Sequence, residues 1–183
     1  MSQTSFRQAR VFAMQILYSM EITGASIGEA LSGVLESQNY DEELAKVGTE
    51  KQDKAPMVEL EEAVELKKLP KESISDEQKK YGMKLVELVL ANHVSMDEDI
   101  KLSAAHWDIE RMARIDRIIT RIAMAELLYV PQIPVKVALT EAVQIASKFS
   151  TDNSGSFVNG LLAGFIQKHH IVTQPKNKES DRA

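Results

Sequence analysis

The chain has 183 residues and a mass of 20.4 kDa, enough for one compact domain that buries roughly 70% of its unfolded surface. Its 44% hydrophobic and 27% charged residues exclude a wholly disordered or collagen-like chain, and the absence of cysteine excludes disulfides, a thiolate nucleophile and a Cys-type zinc site. The net charge of -5 excludes a bulk attraction for nucleic acid, so any such contact must come from a local patch.

Residues 6–22 place Ala9, Phe12, Ala13, Ile16, Leu17 and Met20 on one face at helical spacing, with Gly24 as the stop. Ser26 and Glu29 have the capping-box spacing and predict a second helix to about Ser37. The same device at Ser75 with Gln78, and at Ser95 with Glu98, predicts two further helices, carrying Tyr81, Leu85, Leu88 and Val89, then Ile100 and Ala104.

Between them, Asp41 to Glu77 holds twelve acids against six lysines and no aromatic residue, so 41–74 reads as an acidic insertion or flexible loop, with a short helix over 58–69 as an option. Asp108 is placed to cap a helix with Met112, Ile115, Ile118, Ile119, Ile122, Ala123 and Leu127 along one stripe. Pro131 and Pro134 end it, and Pro134 opens a helix over 135–149. Ser154 is placed to cap a last helix with Val158, Leu161, Leu162, Phe165 and Ile166, and 173–183 reads as a disordered tail. The expectation is an all-α protein, one helical domain over 1–172. No apolar stretch reaches the ~20 residues of a bilayer span and no signal-like segment opens the chain, so a cytoplasmic protein without membrane contact is expected.

The chemistries that leave a sequence signature do not. No glycine-rich phosphate loop follows a strand, no His pair has metal-ligand spacing, and no Ser sits in a nucleophile elbow. The expectation is therefore no enzyme, with no catalytic, cofactor or metal residues. A binding surface remains: Arg7 and Arg10 could fork onto phosphates, and Tyr18, about two turns along, could stack on an unpaired base. By spacing alone such residues are more often solvated arginines and a half-buried ring. Asn159 and Gly160 read as a backbone-bonding Asn and a glycine that lets helices approach closely, and Trp107 as a core or inter-bundle ring in preference to a base-stacking platform.

The run Arg7-Gln-Ala-Arg10 with Ala13 to Tyr18, then Tyr81 to Val86, Trp107 with Ile115 to Leu127, Ile133 to Phe149, and Ser154 to Leu162 resembles, in order and spacing, the bacterial NusB family of transcription antitermination factors. The resemblance implies two stacked helical bundles. It implies a partner, the ribosomal small-subunit protein NusE, with which the family binds boxA-type RNA and helps assemble an antitermination complex on RNA polymerase, notably on ribosomal RNA operons. It assigns RNA binding to Arg7, Arg10, Tyr18, Asn153, Ser154 and Phe157, and partner binding to Asp116 and Arg117. This chain has Phe6 and Gln8 where many members carry arginine, and Ser156 where many carry lysine, which removes phosphate contacts. The alternative is a divergent protein-interaction module or homodimer with weak or no specific RNA binding.

Overall fold

The computed structural model describes residues 3–46, 74–103 and 112–171, and all of its regular structure there is helical. The helices are α1 (Gln3–Thr23), α2 (Ile27–Lys46), α3 (Asp76–Ser103), α4 (Arg114–Tyr129), α5 (Val135–Phe149) and α6 (Ser154–Lys168). The expected all-α class is therefore observed. The chain divides into two compact units, residues 1–86 and 87–183, with α3 contributing 76–86 to the first and 87–103 to the second. The acidic segment beyond Lys46, Ala104, Trp107, Asp108 and the tail lie outside the described residues.

Local chemistry sets the ends of these helices. Gly24 has φ +69°, a backbone conformation that glycine adopts without strain, and its N–H donates to Met20 O at 2.9 Å to close α1. Ser26 then starts α2 as its spacing predicts. Its N–H and hydroxyl donate to Glu29 Oε2 at 2.8 and 2.7 Å, and Glu29 N–H returns to Ser26 Oγ at 3.4 Å. The hydroxyl first, and the amide second, hold the Glu29 carboxyl below its ordinary value. Ser75 and Gln78 form the matching box at the start of α3, at 2.7 and 3.3 Å.

The third expected box does not form. Ser95 lies inside α3, which runs unbroken for 28 residues, and its hydroxyl donates back to Asn92 O at 2.9 Å. The segment has no proline or glycine to stop the helix there. It is also held from outside, because Met96 and Ile100 are buried and Asp97 accepts from Arg121 Nε and Nη2 at 2.8 and 2.6 Å. The 90–95 region therefore continues as helix.

In the first unit α1 packs on α2 and on the start of α3, burying Ala9, Phe12, Ile16, Leu17, Val34 and Leu85. Gln78 Nε2 donates to Gln8 Oε1 at 2.6 Å, and Phe6 meets Tyr81 edge to face with centroids 4.8 Å apart. A Cβ on Gly82 would sit 2.8 Å from both Ala9 O and Phe12 Cδ1, so α1 and α3 approach as closely as they do only because residue 82 has no side chain.

In the second unit α4, α5 and α6 pack on one another. Residues 118–126 of α4 are buried on every face, including Thr120, Arg121 and Glu126, so the expected one-sided stripe is instead a central helix. Gly155 provides the close approach of α6 to α5, where a Cβ would collide with Ser147 Oγ. Gly160, the glycine expected to fill that role, faces open space.

These glycines make opposite predictions. Gly82→Ala should cost about 1–3 kcal/mol, because a backbone carbonyl cannot swing aside. Gly160→Ala should gain up to ~1 kcal/mol from helix propensity alone. Urea unfolding of both variants measures this, and equal midpoints would refute the assigned approach.

Candidate nucleic-acid interface

The six candidate RNA residues fall into two groups, each in its own unit. On α1, Arg7 is half-exposed, whereas Arg10 and Tyr18 are only 2% and 5% exposed. The cause is that α1 is covered around its whole circumference from Ala9 to Met14, where periodicity alone anticipates one buried face. In this conformation Arg10 and Tyr18 present no surface to a ligand.

The second group sits where α5 gives way to α6. The α5 helix ends at Phe149, Ser150 N–H donates to Ala146 O at 2.9 Å, and residues 151–153 are exposed. Asn153 is exposed and its side chain makes no capping hydrogen bond. Phe157, one turn along, is half-exposed. These two are the members of the group that stand at the surface.

Ser154 does something else. It is 1% exposed, and the last helix begins at it without using it as the N-cap residue. Thr151 N–H donates to Ser154 Oγ at 3.1 Å, and Ser154 N–H donates to Thr151 O at 2.9 Å. The first of these is one half of a capping box moved three residues upstream, with the Ser154 hydroxyl in the back-reaching role usually held by Glu or Gln, while the return bond ends on the Thr151 carbonyl and not on its side chain. Ser154 Oγ in turn donates to Asp116 Oδ2 at 2.8 Å.

Asp116, expected at a partner face, is 4% exposed in the first turn of α4. Its Oδ1 is buried with no hydrogen-bond partner among the described residues. Arg117 is half-buried beside it, with its Nε enclosed. The structure thus brings Ser154 and Asp116 together as a buried link, a pairing across 38 residues that no local spacing announces.

At the opposite end of α6, Asp99 of α3 accepts from Lys168 Nζ at 2.6 Å and from His169 Nε2 at 2.9 Å. The His169 ring also lies 4.3 Å from that of Phe165. His93, on the exposed face of α3, has Nδ1 2.9 Å from Leu90 O. Among the described residues no three His, Cys, Asp or Glu side chains gather to hold a metal, and no helix is long and apolar enough to cross a membrane.

The described residues define an all-helical protein whose conspicuous polar groups fasten helix ends. Residues 42–167 match the NusB family. The chain is 33% identical over 159 residues to the transcription antitermination protein NusB of Citrifermentans bemidjiense, covering 87% of this chain and 92% of that protein. This chain belongs to the NusB family. Its fold is similar to that of T. maritima NusB, with a TM-score of 0.63 and 23% identity over 91% of this chain and 92% of that one. It is also similar to a structure of the antitermination factors NusB and NusE in complex with dsRNA, with a TM-score of 0.64 and 19% identity over 90% and 98% of the two chains.

The two arginines of α1 should behave differently when truncated. Arg10→Ala removes an enclosed side chain and should lower the unfolding free energy by roughly 2 kcal/mol or more. Arg7→Ala should change it by about 0.5 kcal/mol or less, as surface substitutions do. Thermal and urea unfolding decide, and a tolerated Arg10→Ala would refute the burial.

Proposed function

We propose that this chain is a transcription antitermination factor that binds boxA-type single-stranded RNA together with the ribosomal protein NusE and helps assemble an antitermination complex on RNA polymerase, notably for ribosomal RNA operons. The observation that carries the reading is the 33% identity over 87% of the chain to a protein named for that activity. The related structure that pairs NusB with NusE and RNA supports the choice of partners. The protein works in the cytoplasm and by binding, without catalysis.

Arg7 supplies a phosphate contact, and Asn153 and Phe157 contact bases. That division follows from charge. Asp152 stands exposed in the same turn as Asn153, so the start of α6 already has a carboxylate beside it and is a poor place for a further anion. A free amide and a half-exposed ring suit an unpaired base, which offers donors, acceptors and a π face. Arg10 and Tyr18 support the α1 surface from inside, and Arg117 serves the NusE contact.

Fluorescence anisotropy with a boxA-type RNA and a scrambled control, with and without NusE, tests this at two salt concentrations. Tighter binding to boxA, strengthened by NusE, is expected. Arg7→Ala should reduce the salt slope by about 0.7, the value for one phosphate of a single strand, while Asn153→Ala lowers affinity with the slope unchanged. A stable NusE complex with no preference for boxA would favour a protein-interaction module, the reading that the enclosed Arg10 and Tyr18 support.

A further inference from the structure

We propose that Asp116 is a positioning residue for the RNA-facing turn, acting through Ser154 to set how Asn153 and Phe157 are presented. The proposal rests on the RNA reading above for its ligand, and on the geometry of the turn for its mechanism. Asp116 and Ser154 are 4% and 1% exposed, so neither touches a macromolecule directly.

The hydrogen-bond directions follow from the carboxylate. An ionised carboxylate only accepts, so the single proton of Ser154 Oγ goes to Asp116 Oδ2 at 2.8 Å. With that proton committed, the 2.8 Å contact between Thr151 Oγ1 and Ser154 Oγ has Thr151 as its donor. Thr151 N–H donates to the same oxygen at 3.1 Å. Ser154 Oγ thus gives one hydrogen bond and receives two, all from fixed directions, and both that it receives come from Thr151. Thr151 opens the turn, and Ser154 N–H closes it onto Thr151 O at 2.9 Å. Asn153 O next accepts from Phe157 N–H at 3.0 Å, which ties the backbone that carries the aromatic ring to the same turn. One buried acid therefore orients an exposed turn that it does not itself reach.

The Asp116 Oδ1 is buried without a hydrogen-bond partner among the described residues, and a half-satisfied buried carboxylate costs more than an apolar side chain of similar size. The turn is what it serves.

The experiment compares Asp116→Ala, Asp116→Asn and Ser154→Ala with Asp99→Asn, which loosens the far end of the same helix. The readouts are amide hydrogen exchange at Thr151 and anisotropy with the boxA-type RNA, at a temperature where circular dichroism shows every variant folded. Asp116→Ala and Ser154→Ala should speed Thr151 exchange and weaken RNA binding ~10-fold, the equivalent of one lost charge-assisted hydrogen bond. Asp116→Asn keeps one acceptor oxygen and should recover part of both, while Asp99→Asn changes neither. Unchanged Thr151 exchange in Asp116→Ala overturns the proposal, as does an equal loss of RNA affinity in Asp99→Asn. Weakened binding to NusE with RNA affinity intact overturns it too, and marks Asp116 as acting on the partner face. If the wild-type chain shows no preference for the RNA, the antitermination reading fails on its own, and the exchange arm still decides whether Asp116 orders the turn.

Discussion

The bond from Ser154 to Asp116 is the constraint on which the second unit depends. It joins the first turn of α4 to the first turn of α6 in a place from which water is excluded. There an unmade hydrogen bond costs the full desolvation of the group, and a made one is strengthened by the low dielectric. The first residues of both helices are thereby fixed to each other, and the close packing of α6 on α5 at Gly155, one residue further along, is fixed with them. At the other end of α6, Asp99 holds Lys168 and His169. A helix held at both ends by acids from other helices can carry a surface turn with little freedom.

The same economy of devices runs through the chain. Glu29 and Gln78 reach back to Ser26 and Ser75, Ser154 reaches back to Thr151, and in each case a side chain accepts from the backbone N–H three residues before it. What differs is what happens next. Glu29 is exposed and its carboxylate ends there, whereas the Ser154 hydroxyl continues inward to Asp116. A motif that elsewhere only starts a helix is here connected to the core.

Local signals in the sequence were sufficient wherever the physics was local. The stop at Gly24, the boxes at Ser26 and Ser75, and the bounds of α5 after Pro134 all follow from backbone chemistry within four residues. They fail where a distant group decides. The box spacing at Ser95 lost to a continuous helix that Arg121 holds from α4, and the cap expected at Ser154 was diverted by Asp116, 38 residues away. Arg10 and Tyr18 look like surface groups in a one-sided pattern, and only the packing around α1 shows that both are enclosed. Gly155 and Gly160 are indistinguishable by type, and only the neighbouring Ser147 of α5 selects the first as the close approach. Of the candidate site, then, residue types and spacing could nominate members, whereas their exposure could not be read from the chain.

The family assignment and the buried link bear on function together, since the surface proposed at Asn153 and Phe157, a neutral amide and a ring, depends on placement more than on charge. The central claim is that Asp116 and Ser154 act as a single coupled unit. A double-mutant cycle in urea unfolding, with Asp116→Ala, Ser154→Ala and the double variant, tests it most directly. The account predicts a coupling energy of about 1–3 kcal/mol, the range for a hydrogen bond to a charged group. Additive effects, with coupling near zero, would contradict it.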